Sequence, residues 1–215
     1  MVEALLLSIK LALLTSTVLI VISLAIAYIL CFTSIRGKTL IEAVILSPLL
    51  IPPTVLGFYL IKLFGNETLV GRLLEDVYGK SILFSFEGLL IGSLIYSLPL
   101  GVLPIKDSFS AINRRYIEIA YIFGYSKSET FRKVILPNSV NGMVTSFALV
   151  FAHTMGEFGV VLMIGGNIPG ETQTLSIYIY DEVQSFNYAS ANLASLTLLG
   201  ISITALLVMI WLRKK

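Results

Sequence analysis

Histidine and cysteine each occur once in this 215-residue chain, as His153 and Cys31. A multi-histidine metal site is therefore excluded, together with a disulfide framework and a Cys/His zinc pattern. Cys31 sits in an apolar run and reads as a small buried or lipid-facing hydrophobe. Charge is also scarce: Asp, Glu, Lys and Arg make up 13% of the residues, where a soluble domain carries about 25%. The net charge of +2 lends nothing to a nucleic-acid partner. Gly37-Lys38-Thr39 lacks the glycine that a phosphate loop needs five residues earlier, where Phe32 stands. No ATP-hydrolysing motif, cofactor site or metal site is expected in the chain.

What is present is apolar. Hydrophobic residues make up 56% of the chain, and the mean hydropathy is +0.91. So little polar surface cannot cover a water-facing globule, and lipid is the solvent this composition fits. Five apolar stretches stand out: Leu11–Phe32, Leu40–Leu63, Gly88–Ile105, Val140–Ile164 and Leu193–Leu212. Each is about long enough to cross a ~30 Å hydrocarbon core as a helix. No alternating strand pattern of barrel type occurs. The expected fold is all-α, a polytopic membrane protein of one domain, residues 1–215. Its five spans are placed near 8–33, 39–64, 84–106, 138–164 and 191–212. Glu3 precedes the first run, which has no basic leader and exceeds signal-peptide length, so a retained span is expected there.

Lys and Arg set the orientation. With the tail Arg213-Lys214-Lys215 in the cytoplasm, 11 basic residues fall inside and four, Lys10, Lys62, Arg72 and Lys80, fall outside. The bias predicts an external N-terminus and a cytoplasmic C-terminus in the cytoplasmic membrane. The second span carries Pro48, Pro52 and Pro53, and the third carries Pro99 and Pro104. Proline removes an amide donor and bends a helix. Ordinary kinking and a path that opens on alternate sides both fit these prolines. Loop two holds a short amphipathic stretch, Thr68–Tyr78.

The cytoplasmic loop at 107–137 is the most informative segment. Asn113 can cap a short helix running to about Phe123, Gly124 suits the left-handed residue that ends it, and Ser126 with Glu129 forms a capping box for a second helix. Pro137 suits the first turn of the following span. Two uses fit such a helix pair, with Ile117, Ala120 and Tyr121 on its apolar side. It can lie on anionic headgroups, or it can dock in the groove of a soluble partner.

At this point the sequence resembles a known family. Glu118-Ile119-Ala120, Gly124 and Leu136-Pro137 resemble the EAA loop of type I ABC importer permeases, with Ile119 where Ala is usual. Pro48-Leu49-Leu50-Ile51-Pro52-Pro53-Thr54-Val55-Leu56-Gly57 is similar to the second-span segment of molybdate and tungstate permeases. Gly156-Glu157-Phe158-Gly159 is shared by molybdate and sulfate permeases, and Asn167 through Thr174 resembles the molybdate branch. The resemblance extends over nearly the whole chain. It implies a five-span permease subunit of an ATP-driven importer of molybdate or tungstate. Glu118, Ile119, Ala120, Tyr121, Gly124, Tyr125, Leu136 and Pro137 would form the coupling helix and its flanks, docked on a separate ATPase subunit that binds the ATP. A homodimer of this chain, two ATPase copies, an extracytoplasmic oxyanion-binding protein and the lipid membrane are the expected partners. Asn167, Pro169, Gly170, Glu171 and Thr172 are expected to face the binding protein.

Pathway or gate candidates are Pro52, Pro53, Gly57, His153, Gly156, Glu157 and Gly159. Glu157 lies about 10 Å inside the fourth span at 1.5 Å per residue, where an ionisable residue is a functional candidate. A bare carboxylate would repel a divalent oxyanion, so a structural or gating role fits Glu157 better than substrate contact. His153, one turn earlier, is its expected hydrogen-bond neighbour. Thr15, Ser16, Thr17, Ser93, Ser97, Thr145 and Ser146 can line a polar route or bond back to the preceding helical turn. A sulfate or thiosulfate permease and a membrane scaffold without a transport path remain the competing readings.

Overall fold

The computed structural model describes residues 1–213, and among them every regular element is helical. Lys214 and Lys215, two of the basic residues used for orientation, lie outside the described residues. In chain order the helices are α1 (Val2–Phe32), α2 (Lys38–Leu46), α3 (Pro53–Phe64), α4 (Leu69–Tyr78), α5 (Phe86–Ser110), α6 (Arg114–Ile122) and α7 (Lys127–Thr130). They continue with α8 (Val140–Gly156), α9 (Gly159–Gly165), α10 (Leu175–Gln184) and α11 (Tyr188–Arg213).

Three of these, α1, α5 and α11, are long and apolar enough to cross a membrane. The number reaches five if each of two bent pairs counts as one span. These are Lys38–Leu49 with Pro53–Phe64, bent by 110°, and Lys127–Ile135 with Pro137–Gly156, bent by 43°. The expected second span at 39–64 is therefore not one kinked helix. A 3₁₀ turn at Ser47–Leu49 follows α2, and the chain breaks at Leu50–Pro52 before α3 begins at Pro53. Pro48, Pro52 and Pro53 bring their missing donors and preceding-residue clashes together within six positions, more than a helix can absorb by kinking. In α5, by contrast, Pro99 and Pro104 lie five residues apart and the helix runs through both.

Two further boundaries differ from expectation. α1 starts at Val2 rather than near residue 8. The expected fourth span at 138–164 divides into α8 and α9 at Glu157 and Phe158. It is preceded by a π turn at Phe131–Ile135 and a 3₁₀ turn at Pro137–Ser139, so α7 leads almost directly into it. Loop four contains a helix the sequence reading did not foresee, α10, capped by Thr174.

The core is made by α1, α5 and α8, which pack mutually, with α11 and α10 against α8 and α3 against α9. The buried positions of α1 recur every three or four residues and are largely small: Ala4, Ser8, Ala12, Thr15, Ser16, Ser23 and Ala27. Small side chains let helix backbones approach closely, which matters where lipid removes the hydrophobic drive for helices to associate. On α11 only Ala191, Ala194 and Met209 are buried. Leu196, Leu199, Ile203 and Leu207 are exposed, as a lipid-contacting helix requires.

Candidate functional site

The first candidate region is the hairpin of α6 and α7. Asn113 Oδ1 accepts the Arg115 amide at 3.0 Å and starts α6. The helix closes through Gly124 at φ +80°, with the Tyr125 amide donating to the Ala120 carbonyl at 3.0 Å. The capping box forms as expected: the Ser126 amide donates to Glu129 Oε2 at 2.9 Å, and the Glu129 amide donates to Ser126 Oγ at 3.3 Å. The backbone bond from Ser126 chiefly, then its hydroxyl, hold the Glu129 carboxyl below the usual carboxylate range, with Lys133 assisting.

This hairpin is anchored on one side and bare on the other. Ala120, Thr130 and Ile135 are buried, and Ile117 packs against Ile105, Phe109 and Ile135. The Phe131 ring meets Tyr28 of α1 edge-on at 5.4 Å and Phe109 of α5 at 6.4 Å. Elsewhere on the hairpin Tyr116, Ile119, Tyr121, Ile122, Phe123 and Tyr125 are exposed, Ile122 at 82% and Phe123 at 78%. Tyr116, Ile119, Ala120, Phe123 and Tyr125 line a groove of about 350 Å³. Of the candidate coupling residues, Ile119, Ala120 and Tyr125 meet in this groove, while Glu118 and Tyr121 line the opposite side of α6. Leu136 and Pro137 stand apart at the hinge into α8, where the Leu136 amide donates to the Phe131 carbonyl at 2.8 Å. Ile122 and Phe123, the most exposed of the set, were not singled out from the sequence. The available signal was their apolar character on the side of α6 away from Ile117.

The second region is a junction of two broken helices. α8 stops at Gly156, and Glu157 is extended, with φ −66° and ψ 131°. A Cβ on Gly159 would sit 2.6 Å from Pro53 Cβ, and one on Gly57 would sit 2.6 Å from Met163 Cβ. The breaks at Pro52-Pro53 and at Glu157-Phe158 are thus seated on each other, with α3 against α9. Glu157 is 4% exposed, and neither carboxylate oxygen has a hydrogen-bond partner of good geometry. The Ser93 hydroxyl, also without one, lies beside it. The Glu157 carbonyl accepts from Ser176 Oγ on α10. His153 is not the neighbour expected for Glu157. Its Nδ1 is 2.9 Å from Ser97 Oγ, and its ring lies beside Tyr96. The end of α8 at Gly156 swings Glu157 off the helical register that would have aligned the two.

Among the hydroxyls, Ser16, Thr17 and Thr145 bond back to the preceding helical turn. Ser146 instead crosses to the Gly101 carbonyl at 2.9 Å.

The third region is the loop after α9. Asn167, at φ +62°, donates from Nδ2 to Asp181 Oδ2 at 2.8 Å. Gln173 Nε2 donates to the same carboxylate at 2.9 Å and to Asn167 Oδ1 at 3.0 Å. Pro169, Gly170 and Glu171 are exposed. Thr172 is not an outward-facing residue. It is fully buried, donates to the Gly165 carbonyl at 2.7 Å and accepts the Ile168 amide at 2.9 Å. It closes the base of the loop, while Gly170 and Glu171 form its tip.

Comparisons with known proteins agree with this architecture. The family described as "Binding-protein-dependent transport system inner membrane component" matches residues 20–214. The molybdenum transport system permease protein ModB of Azotobacter vinelandii is 43% identical over 186 residues, covering 86% of this chain and 82% of that protein. ModB of Haemophilus influenzae is 33% identical, covering 90% and 85%. A probable sulfate transport system permease protein, cysT of Helicosporidium sp., is 30% identical, covering 94% and 74%. Among solved structures, the inward-facing MetNI methionine ABC transporter superposes with a TM-score of 0.75 at 16% identity, covering 99% of this chain and 94% of that one. A bacterial alginate ABC transporter bound to its periplasmic protein gives 0.76 at 14% identity, covering 97% and 76%. The chain therefore belongs to the binding-protein-dependent transport system inner membrane component family, as a multi-pass transport subunit of the inner membrane and not an enzyme.

Proposed function

We propose that this chain is the permease of an ATP-driven importer of molybdate, with tungstate, an oxyanion of nearly the same size and charge, as a second cargo. The single observation that carries the coupling role is the hairpin. Its bare apolar tip is joined through Phe131 to the rings of Tyr28 and Phe109 in two membrane helices. An exposed apolar patch rimmed by polar residues marks an interaction surface. Here it is read as the surface that enters a cleft of an ATPase subunit, which binds and hydrolyses the ATP. Molybdate is favoured over sulfate because the molybdenum permeases named above are 43% and 33% identical, against 30% for the sulfate permease.

On this reading two copies of the chain enclose the path, and two ATPase subunits hold the two hairpins at the cytoplasmic side. The N-terminus is external. ATP-driven closure draws the hairpins together and rocks α1 and α5 through the Tyr28–Phe131–Phe109 contact. The seated breaks at Pro53 and Gly159 are the places where backbone bends. An oxyanion-binding protein docks over Pro169, Gly170 and Glu171, which the Asn167–Gln173–Asp181 tie holds in place. The test is uptake of radiolabelled molybdate by vesicles holding the permease, its ATPase and the binding protein. Competition by tungstate but not by sulfate is expected. Equal competition by sulfate would transfer the chain to a sulfate importer, and ATP-independent flux would remove the coupling role.

A further inference from the structure

Two cavities meet along one side of the hairpin. One is a groove of about 580 Å³ lined by Val21, Leu24, Ala25, Tyr28, Ile29 and Phe131, with Lys127 and Ser128 at its end. The other, of about 690 Å³, opens where α1 stops and is lined by Tyr28, Ser34, Arg114, Ile117, Glu118 and Lys127, among others. Tyr28 and Lys127 line both, so the two cavities adjoin at these side chains and are read together as one cleft.

The chemistry of the cleft changes along its length. The α1 residues in the groove follow the spacing i, i+3, i+4, i+7, i+8, one face of the helix, over about 12 Å at 1.5 Å per residue. Apart from Lys127 and Ser128 at its end, that part offers hydrocarbon and the rings of Tyr28 and Phe131. The other part carries the two bases Arg114 and Lys127 against one carboxylate, Glu118, and it stands where the membrane helix gives way to the hairpin. An apolar slot ending in a net-positive mouth at that level matches an acyl chain continuous with an anionic headgroup. A soluble anion would leave the slot empty, and an uncharged lipid would leave the mouth's net positive charge unanswered.

We propose that this cleft holds an anionic phospholipid, with an acyl chain along Val21–Ile29 and the phosphate between Arg114 and Lys127. The lipid would bridge α1 and the hairpin on the side away from the Ile119–Phe123 groove. The proposal rests on the reading that the hairpin lies at the membrane surface, and not on what the hairpin docks to.

The test uses phosphatidylglycerol carrying a photoactivatable group in one acyl chain, in phosphatidylcholine nanodiscs holding the permease. The label is mapped by mass spectrometry after digestion, with and without the ATPase subunit. The expected result is preferential labelling of Val21–Ile29 and Phe131 over the level given by a phosphatidylcholine probe of the same chains. The pair Arg114→Gln and Lys127→Gln should lower that labelling about tenfold. Leu24→Trp, which fills the slot and leaves both bases, should lower it as well and serves if the double variant does not fold. Equal labelling by the two probes, or labelling spread as strongly over the lipid-facing side of α11, would overturn the proposal. Loss of label when the ATPase binds would also overturn it, by making the cleft a protein interface. Failed molybdate uptake with retained, charge-dependent labelling would count against the permease reading and leave the lipid site standing.

Discussion

The hairpin and the broken-helix junction are built on opposite principles. The hairpin is local. Its caps, its left-handed glycine and its capping box each span six residues or fewer, and every bond closes within the segment that forms it. Its outer face is left unsatisfied, as a docking surface requires. The junction is non-local. Pro53 meets Gly159 and Gly57 meets Met163 across about a hundred positions of sequence, and Gly57, Glu157 and Val160 are buried there. The lesson is a division of labour. On the proposed reading, the part that receives force is self-supporting and exposed, and the part that bends depends on close contact between two helix breaks.

That division predicts separable failures. The largest effect is expected at the hairpin tip. Ile122→Glu combined with Phe123→Glu should lower ATP-dependent molybdate uptake by a factor of about 30 or more, the scale of losing a hot spot worth ~2 kcal/mol. Both side chains are exposed, so the thermal unfolding midpoint of the permease alone should not move. A variant that unfolds earlier would mean the tip is part of the fold after all. At the junction the pattern should reverse. Gly159→Val pushes a branched side chain into Pro53 and should destabilise the protein by about 1–3 kcal/mol, as overpacking does. The measurement is thermal unfolding in detergent. An unchanged midpoint would show that α3 and α9 are not held in contact.

The same contrast explains what could be read in advance. The caps at Asn113, Gly124, Ser126 and Pro137 were legible because each depends on a few neighbouring residue types. So was the membrane class, which follows from composition. The broken second span was legible only as bending, since the 110° angle depends on α3 finding α9. Glu157 was placed in a helix because Gly156 and Gly159 do not by themselves reveal a break. His153 was then paired with the wrong partner, since Ser97 is 56 residues away. Thr172 looked like a surface threonine, and its inward turn is set by a bond to Gly165 that the tight loop makes possible. Local signals fix caps, while the partners of buried polar groups depend on which helices meet.

A smaller effect is expected at Glu157. Its carboxylate accepts no hydrogen bond of good geometry, so Glu157→Gln removes no well-made contact. The variant should keep its thermal midpoint, because the amide has nearly the same size as the carboxyl and leaves a buried polar group as poorly partnered as before. Glu157→Ala should lose stability through the vacated volume. If Gln abolished uptake at an unchanged midpoint, the carboxylate itself would be part of the gate.

The smallest effect is the pH response of the hairpin. Glu129 is held below its ordinary value of 4.5 by its bonds to Ser126. A depressed folded-state value means that the ionised carboxylate stabilises the folded hairpin. That contribution is complete above the unfolded value and fades as pH falls through the lower folded one. Amide hydrogen exchange of Lys127–Thr130, corrected for the intrinsic pH dependence of exchange, should therefore show protection that is flat near neutrality and declines below about pH 4.5. In Glu129→Gln the decline should vanish, because an amide can still accept from the Ser126 amide but has no proton to gain. Ser126→Ala should instead lower protection at every pH by about 1 kcal/mol, the loss of an N-cap. Protection at the junction should respond to none of these changes, since the two regions share no hydrogen bond through which the cap could act.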